Sequence, residues 1–277
     1  MLESPPNKGR FKLTNGYAID FNNIARLMDY ICPDNRTRFL QAELTEALGL
    51  SDAHSEAIFR FAESMGLTQP KTSTPTMFGR LVTKEDKFFD DIGTLWFCHY
   101  VAASNPQNIV WNCFANKVIP VLQQFTIAQF SEALEGYRPN FSAIFFNKFV
   151  IKEPKYLVKA YIDENFAKLM LLRQENDVYS LSYRETIPPL VLLACIAHFR
   201  DALRPGDTSL SVSDLLNAPN SPGVVCQIPE DRLRSALEEL KTQPGISLES
   251  RADLDQIRLT DNTQNYQWME RYYERRG

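Results

Sequence analysis

A chain of 277 residues is longer than a domain with a single small hydrophobic core usually is. Two or three structural units of about 100–150 residues each are therefore expected. Hydrophobic residues make up 44% and charged residues 23%, which excludes extended disorder except at the two ends. The net charge of −4 excludes a generally polycationic protein, so contact with nucleic acid would require a local basic surface.

The cysteines and the apolar runs indicate the compartment. The five cysteines are odd in number and scattered, which is typical of buried, reduced thiols rather than a disulfide framework. The first 16 residues are polar and do not form a signal peptide, and the longest apolar run, residues 187–199, is too short to span a bilayer. We therefore expect a cytoplasmic protein with no membrane partner.

The first predicted unit, residues 16–85, has the element order of a helix-turn-helix. Apolar residues at helical spacing predict helices at 22–31 and 38–48. Ser51 is placed to cap a third helix, which runs to Met65 and ends at Gly66. Extended pieces at 66–68 and 77–82, around a polar tip, would then form a wing.

The second predicted unit, residues 86–183, is helical and closes with a strand. Helices are expected at 94–103 and 107–124, and another begins at Thr126. A long amphipathic helix is predicted at 154–172. The alternating residues 178–182 predict a strand after a polar turn, again consistent with a winged helix.

The third predicted unit, residues 184–262, has the clearest winged-helix pattern. Helices are predicted at 188–202, from Ser211, and at 229–241, followed by two short strands at 246–248 and 257–259. Residues 263–277 are expected to form a basic, aromatic tail. The predicted fold class is therefore mainly α, with tandem winged-helix-like (helix-turn-helix) units carrying short β-wings.

Several motifs in the first half of the chain resemble one known family. They are Leu48-Gly49-Leu50 with the helix at 58–67, Phe78-Gly79-Arg80-Leu81, Gly93-Thr94-Leu95-Trp96-Phe97-Cys98-His99-Tyr100, and Trp111-Asn112-Cys113-Phe114-Ala115-Asn116. These segments are similar to the Leu-Gly-Val, Leu-Gly, Leu-Trp-Leu-Leu-His-Trp and Trp…Phe-Asn motifs of the domain of unknown function 4007 family. The resemblance covers roughly residues 10–150 by motif.

The resemblance implies a context rather than a reaction. The family has no established activity. Its genes often lie in bacterial defence islands, near DNA phosphorothioation genes. The resemblance therefore implies an accessory role linked to DNA, which is an argument by association and not from a site.

The best local basic patch lies at residues 138–173, a segment that contains seven lysines and arginines and only three acidic residues. Aromatic residues are interleaved with these cations, as expected of a surface that contacts phosphates. A solvated helix face is the alternative interpretation of the same pattern. The candidate DNA contacts of this patch are Lys148, Lys152, Lys155 and Lys159.

His54 and Arg60 lie on the helix that would read DNA if the first unit were a DNA-binding helix-turn-helix. The same helix carries Asp52, Glu56 and Glu63, which would repel phosphates. The pattern therefore leaves open whether the winged helices bind DNA, bind protein or act as spacers.

No convincing active site, cofactor motif or metal site is found in the sequence. Phosphate-binding, dinucleotide-binding, serine-hydrolase and zinc-protease motifs are absent, and the Cys and His residues lack metal-ligand spacing. Cys195 and His198 form the one tight Cys/His pair on a predicted helix, and catalysis would require that pair to line a cleft. Arg271, Arg275 and Arg276, with neighbouring tyrosines, could alternatively clamp a nucleic-acid backbone.

Two functions are consistent with the sequence. The first is a non-catalytic, DNA-associated adaptor in a prokaryotic defence or DNA-modification system of the phosphorothioation type. The alternative is a protein-interaction subunit that docks onto a modification enzyme or nuclease without touching DNA. Both functions imply protein partners in such a complex, and neither requires a cofactor.

Overall fold

The computed structural model describes residues 14–182, 186–251, 254–259 and 263–276. Most of the polar N-terminal segment, residues 1–13, lies outside the described residues, as do the boundary at 183–184 and the end of the third unit at 260–262. Residues 252–253 and Gly277 do so as well. The described chain is mainly helical with two small antiparallel sheets, which confirms the mainly α class.

The helices of the first unit begin at polar caps. The Asp20 side chain accepts a hydrogen bond from the Asn23 N–H at 3.0 Å, and Ser51 caps the third helix in the same way. Gly49 ends the second helix with φ +64°, a conformation that favours glycine. The four helices are α1 (Phe21–Ile31), α2 (Gln41–Leu48), α3 (Asp52–Ser64) and α4 (Met77–Glu85).

The predicted extended piece at residues 77–82 is wrong, because these residues begin helix α4. The Thr76 hydroxyl accepts a hydrogen bond from the Gly79 N–H at 2.8 Å, and this cap starts the helix. A short turn remains before it, closed by one antiparallel bridge between Thr68 and Pro75. The first unit therefore has a bridged turn where a two-stranded wing is expected.

The second unit is built from short helices around a small sheet. Its strands are β1 (Gln124–Phe125), β2 (Leu172–Glu175) and β3 (Val178–Leu181), and β3 confirms the predicted strand. The α-helices are α5 (Ile92–Ser104), α6 (Ile109–Cys113), α7 (Ile119–Leu122), α8 (Ile127–Ala133), α9 (Ala143–Lys148) and α10 (Glu153–Ile162). Short 3₁₀ turns span Glu135–Asn140, Val150–Lys152 and Asn165–Leu169.

Two of the long helices predicted here are interrupted. The helix expected at 107–124 contains a π turn at Phe114–Val118, directly before Pro120 in α7. Proline has no N–H to donate to the carbonyl four residues earlier, which favours a widened turn at that point. The helix expected at 154–172 ends at Ile162, and Met170 adopts φ +48° where the chain turns toward β2.

The third unit follows the predicted order closely. Ser211 caps the short helix, accepting a hydrogen bond from the Asp214 N–H at 2.9 Å. An additional short helix, which the sequence pattern did not predict, begins at Pro222. The elements are α11 (Pro189–Leu203), β4 (Ser209–Ser211), α12 (Val212–Asn217), α13 (Pro222–Val225), α14 (Glu230–Leu240), β5 (Ile246–Arg251) and β6 (Leu254–Leu259).

The two sheets share one topology. In each, the third strand lies between the first two, in the orders β1-β3-β2 and β4-β6-β5, and every pairing is antiparallel. Ser180 of β3 pairs with Gln124 and Arg173, and Ile257 of β6 pairs with Leu210 and Leu248. A helix precedes the first strand of each sheet, and helices separate the first strand from the second.

The C-terminal segment is a packed helix rather than a loose tail. Helix α15 (Asn265–Glu274) packs against α11 and α4, and Trp268 on it is only 1% exposed. The Tyr272 hydroxyl donates a hydrogen bond to Asp91 Oδ2 at 3.1 Å, and Arg276 forms an ion pair with the same carboxylate. These two contacts attach α15 to the start of α5.

One hydrophobic core runs through all three units. Aromatic pairs cross the predicted boundaries: Phe78 lies 4.8 Å from Phe97, and Phe21 lies 5.0 Å from Phe166, between ring centroids. Burial of such rings favours a fixed arrangement of the units. Within the described ranges, no helix is long and apolar enough to cross a membrane.

Candidate nucleic-acid interface

The four lysines predicted as DNA contacts are all exposed, on consecutive elements of the second unit. Lys148 ends α9, Lys152 lies in the 3₁₀ turn that follows, and the other two lie one turn apart on α10. Residues four apart on a helix project from the same side. We call this surface the lysine face, which consists of Lys148, Lys152, Lys155 and Lys159.

Every exposed charge between residues 142 and 162 is positive. Glu153 is the only acidic residue of this segment, and it is 3% exposed. No ion pair to a lysine of this face is found among the described residues. The face therefore presents cations without an ion pair, although Glu164 lies close enough to Lys159 to interact with its charge and the whole chain is acidic.

Packed aromatic rings support α9, the helix that carries Lys148 of the lysine face. Ser142 caps α9 by accepting a hydrogen bond from the Phe145 N–H at 3.2 Å. The Phe145 ring lies between two others, 5.7 Å from Phe141 and 5.3 Å from Phe149. The Lys148 ammonium lies 5.3 Å from the centre of the Phe149 ring, which orients this side chain.

His54 and Arg60, the predicted reading residues, lie on α3 and are both half-buried. The His54 ring stacks on Tyr17 with centroids 4.3 Å apart, and Arg60 forms an ion pair with Glu56 one turn earlier. Much of the positive charge on this helix is therefore countered locally. Their role as DNA readers stays a prediction.

Glu153 joins the lysine face to the first unit. Its Oε2 accepts a hydrogen bond from the Thr14 N–H at 2.8 Å, and Arg60 lies close enough to stabilise its charge. Burial dominates over both effects and raises the pKa of the Glu153 carboxyl to about 7. The buried carboxyl therefore places a titratable group near neutral pH beneath the lysine face.

Because the folded protein holds the Glu153 proton more tightly than the unfolded chain, this carboxyl lowers stability as pH rises from about 4.5 toward 7. We expect Glu153→Gln to remove that dependence. The free energy of unfolding of the parent protein should fall by about 2–3 kcal/mol relative to the variant between about pH 5 and 8. Urea unfolding across this pH range measures the difference. Glu132→Gln, at an exposed site, is the control, and parallel curves for Glu153→Gln and the parent would contradict the expectation.

A buried polar network connects the second and third units. His99 Nε2 lies 3.0 Å from the Val225 carbonyl oxygen, which can only accept, so Nε2 carries the proton. His99 Nδ1 then accepts from the Tyr161 hydroxyl at 2.5 Å, and that oxygen accepts from Trp111 Nε1 at 2.6 Å. Burial lowers the pKa of His99 to about 4, so the ring is neutral at neutral pH.

Tyr161→Phe should lower the free energy of unfolding by about 2–3 kcal/mol, because it leaves the buried Trp111 N–H without an acceptor. Chemical denaturation measures this loss. Tyr30→Phe removes a hydroxyl from an exposed ring and is the matched control. Equal stability of the two variants would show that the buried network does not stabilise the fold.

A family model described as "Protein of unknown function (DUF4007)" matches residues 24–273. The chain belongs to the DUF4007 family. This confirms the family that the motifs of the first half resemble, and extends the match across all three units.

Two solved structures share the fold of this DUF4007 protein. One is described as a magnesium ion-bound SspB crystal structure, with a TM-score of 0.78 and 17% identity over 95% of this chain and 88% of that chain. The other, an SspB crystal structure, has a TM-score of 0.78 and 16% identity over 96% and 89% of the two chains. No protein with a curated description matches the chain significantly.

Of the Cys195–His198 pair of this DUF4007 protein, Cys195 lies in the core and His198 is half-buried. Cys195 is fully buried, and burial raises the pKa of its thiol well above the ordinary value. Burial also lowers the pKa of His198 to about 4, and Asn265 Nδ2 lies 3.0 Å from His198 Nδ1. A neutral thiol beside a neutral imidazole is not the thiolate that nucleophilic catalysis uses.

Metal-ligating side chains do not cluster in the part of the chain that the structure describes: no group of three or more His, Cys, Asp or Glu residues could hold an ion there. Glu153 and Tyr161 were not singled out by sequence reasoning. Their partners, Thr14 and His99, lie 139 and 62 residues away along the chain, so no local pattern signals these contacts.

Proposed function

We propose that this DUF4007 protein is a non-catalytic accessory protein of a DNA-modification or defence system of the phosphorothioation type, and that it contacts DNA through the lysine face. The observation that carries the proposal is that all exposed charges between residues 142 and 162 are lysines. The family resemblance supports the DNA-modification context. We further propose that the two sheet-bearing units are winged helices, because their strand orders are the same.

The charge balance of the chain predicts weak, salt-dependent binding. Four lysines that neutralise phosphates release condensed counterions, whereas the net charge of −4 opposes contact elsewhere. Lysine ammonium groups contact phosphate as point charges, so backbone contact rather than base reading is the expected mode.

Fluorescence anisotropy with a short labelled duplex, across a salt series, tests the proposal. With about four phosphate contacts, the slope of log K against log salt should be about −3 to −4. Affinity should then fall about 100-fold between about 50 and 200 mM salt. Absence of binding at the lowest salt, or a slope near zero, would overturn DNA contact through this face.

A second candidate function, docking of a protein partner, is favoured by exposed apolar side chains on the same segment. Ile144 on α9 is 80% exposed, and Ile151 lies between Lys148 and Lys152. We infer that Ile144→Asp would abolish capture of a native partner in a pull-down while leaving DNA affinity unchanged if this surface docks protein. Loss of DNA affinity with intact capture would instead assign the surface to DNA.

A further inference from the structure

A cleft of about 610 Å³ opens where α5, the segment before α11 and the start of α14 meet. This volume is in the range of small-molecule sites, about 300–1,000 Å³. Its apolar lining includes Trp96, Pro188, Pro189, Ile228 and Pro229. Apolar walls of this kind can pack against the faces of a planar ligand.

Trp96 lies at the wall of this cleft and carries a buried donor. Its side chain is 2% exposed, and its indole N–H has no hydrogen-bond partner among the described residues. Burying a donor without an acceptor costs free energy, so native proteins usually satisfy such groups. The indole nitrogen itself has no accessible surface, so a ligand in the cleft contacts the apolar ring of Trp96 and not this donor.

A second cleft of about 290 Å³ adjoins the first and shares Pro188, Pro189 and Glu239 with it. Its other lining residues include Arg275 and Arg276. Arg275 donates to Gln243 at 2.8 Å, and Arg276 pairs with Asp91, yet each guanidinium has five N–H donors and keeps others for a ligand.

Charge is distributed unevenly along the joined clefts. The larger cleft is lined by Asp231, Arg232 and Glu239. The smaller one has Glu239 and two arginines, of which Arg276 is paired with Asp91 and Arg275 has no ion-pair partner among the described residues. An occupant that complements both is neutral and flat at one end and anionic at the other. A carboxylate between the two clefts, Glu239, can accept hydrogen bonds from hydroxyl groups in the middle of such a ligand.

We propose that the joined clefts bind a nucleoside monophosphate, with the base in the larger cleft against Trp96 and the phosphate at Arg275 and Arg276. The sugar then lies beside Glu239. This goes beyond the proposed function, because the lysine face takes no part in it. The nucleotide is either free or at the phosphorylated end of a DNA strand.

Isothermal titration with deoxyadenosine 5′-monophosphate tests the site, with deoxyadenosine and inorganic phosphate as partial ligands. We expect the nucleotide to bind at least tenfold more tightly than either partial ligand. Two variants should weaken nucleotide binding at least tenfold. They are Ala236→Phe, which fills the larger cleft, and the double change Arg275→Gln with Arg276→Gln. Arg234→Gln, an exposed arginine of α14 outside both clefts, is the matched control.

Unchanged nucleotide affinity in both folded variants, or no nucleotide binding by the parent protein, would overturn the proposal. Thermal melting establishes that each variant is folded. Competition by a 5′-phosphorylated single strand would assign the site to a strand end, and lack of competition to the free nucleotide. Changing the four lysines of the lysine face to glutamate should leave nucleotide binding intact. The DNA-binding proposal and the nucleotide proposal can therefore be contradicted independently.

Discussion

Changing the four residues of the lysine face to glutamate should weaken duplex DNA binding at least about 100-fold at about 50 mM salt. The substitutions remove four cations that release counterions and place four anions where phosphates would lie. The salt dependence should flatten at the same time, because fewer phosphate contacts remain. Anisotropy titrations at several salt concentrations measure both effects.

The matched control is the same reversal at four exposed lysines elsewhere. These are Lys71, Lys84, Lys87 and Lys241. Both quadruple variants change the net charge equally, so a difference between them reports on position rather than on total charge. Equal loss of affinity in the two would contradict a defined lysine face and indicate a general electrostatic effect.

Trp268→Ala should lower the free energy of unfolding by about 3–5 kcal/mol, as expected for truncating a large buried aromatic side chain. Trp268 is 1% exposed, and its neighbour Met269 is fully buried as α15 packs against α11. The Arg271 guanidinium lies 4.3 Å from the centre of the Trp268 ring and covers it. Chemical denaturation followed by circular dichroism measures the loss.

Glu270→Ala, on the exposed side of the same helix, is the control and should change stability little. If the Trp268→Ala variant were as stable as the parent protein, α15 would contribute nothing to the stability of the fold. That outcome would restore the interpretation of residues 263–277 as a loose basic tail.

Local sequence patterns predicted most helices and the strands β3, β5 and β6, but not β1, β2 and β4. Caps such as Ser51 and Ser211 satisfy the first free N–H groups of a helix, and this requires only residues nearby in the chain. The exposure of the lysine face was also predictable, since lysine is rarely buried without a partner. Its role in binding DNA remains for the titrations to decide.

Patterns failed where a distant contact or a backbone constraint overrode them. Residues 77–82 are apolar enough for a strand, but Thr76 caps a helix there. Basic and aromatic residues at 263–277 are typical of a tail, but Trp268 and Tyr273 are buried against the body of the protein. Burial of large aromatic surface outweighs the preference of the nearby charges for solvent.

Periodicity, capping and charge within the sequence alone determine where helices begin, which face of each is apolar, and that cations outnumber acidic residues at 148–159. The tertiary structure decided the rest. It brought Glu153 to Thr14, His99 to Tyr161, and α15 to α11, and it assembled a cleft from residues between 96 and 276. These contacts join residues far apart in the chain, and only close packing of the shared core sets which of them meet.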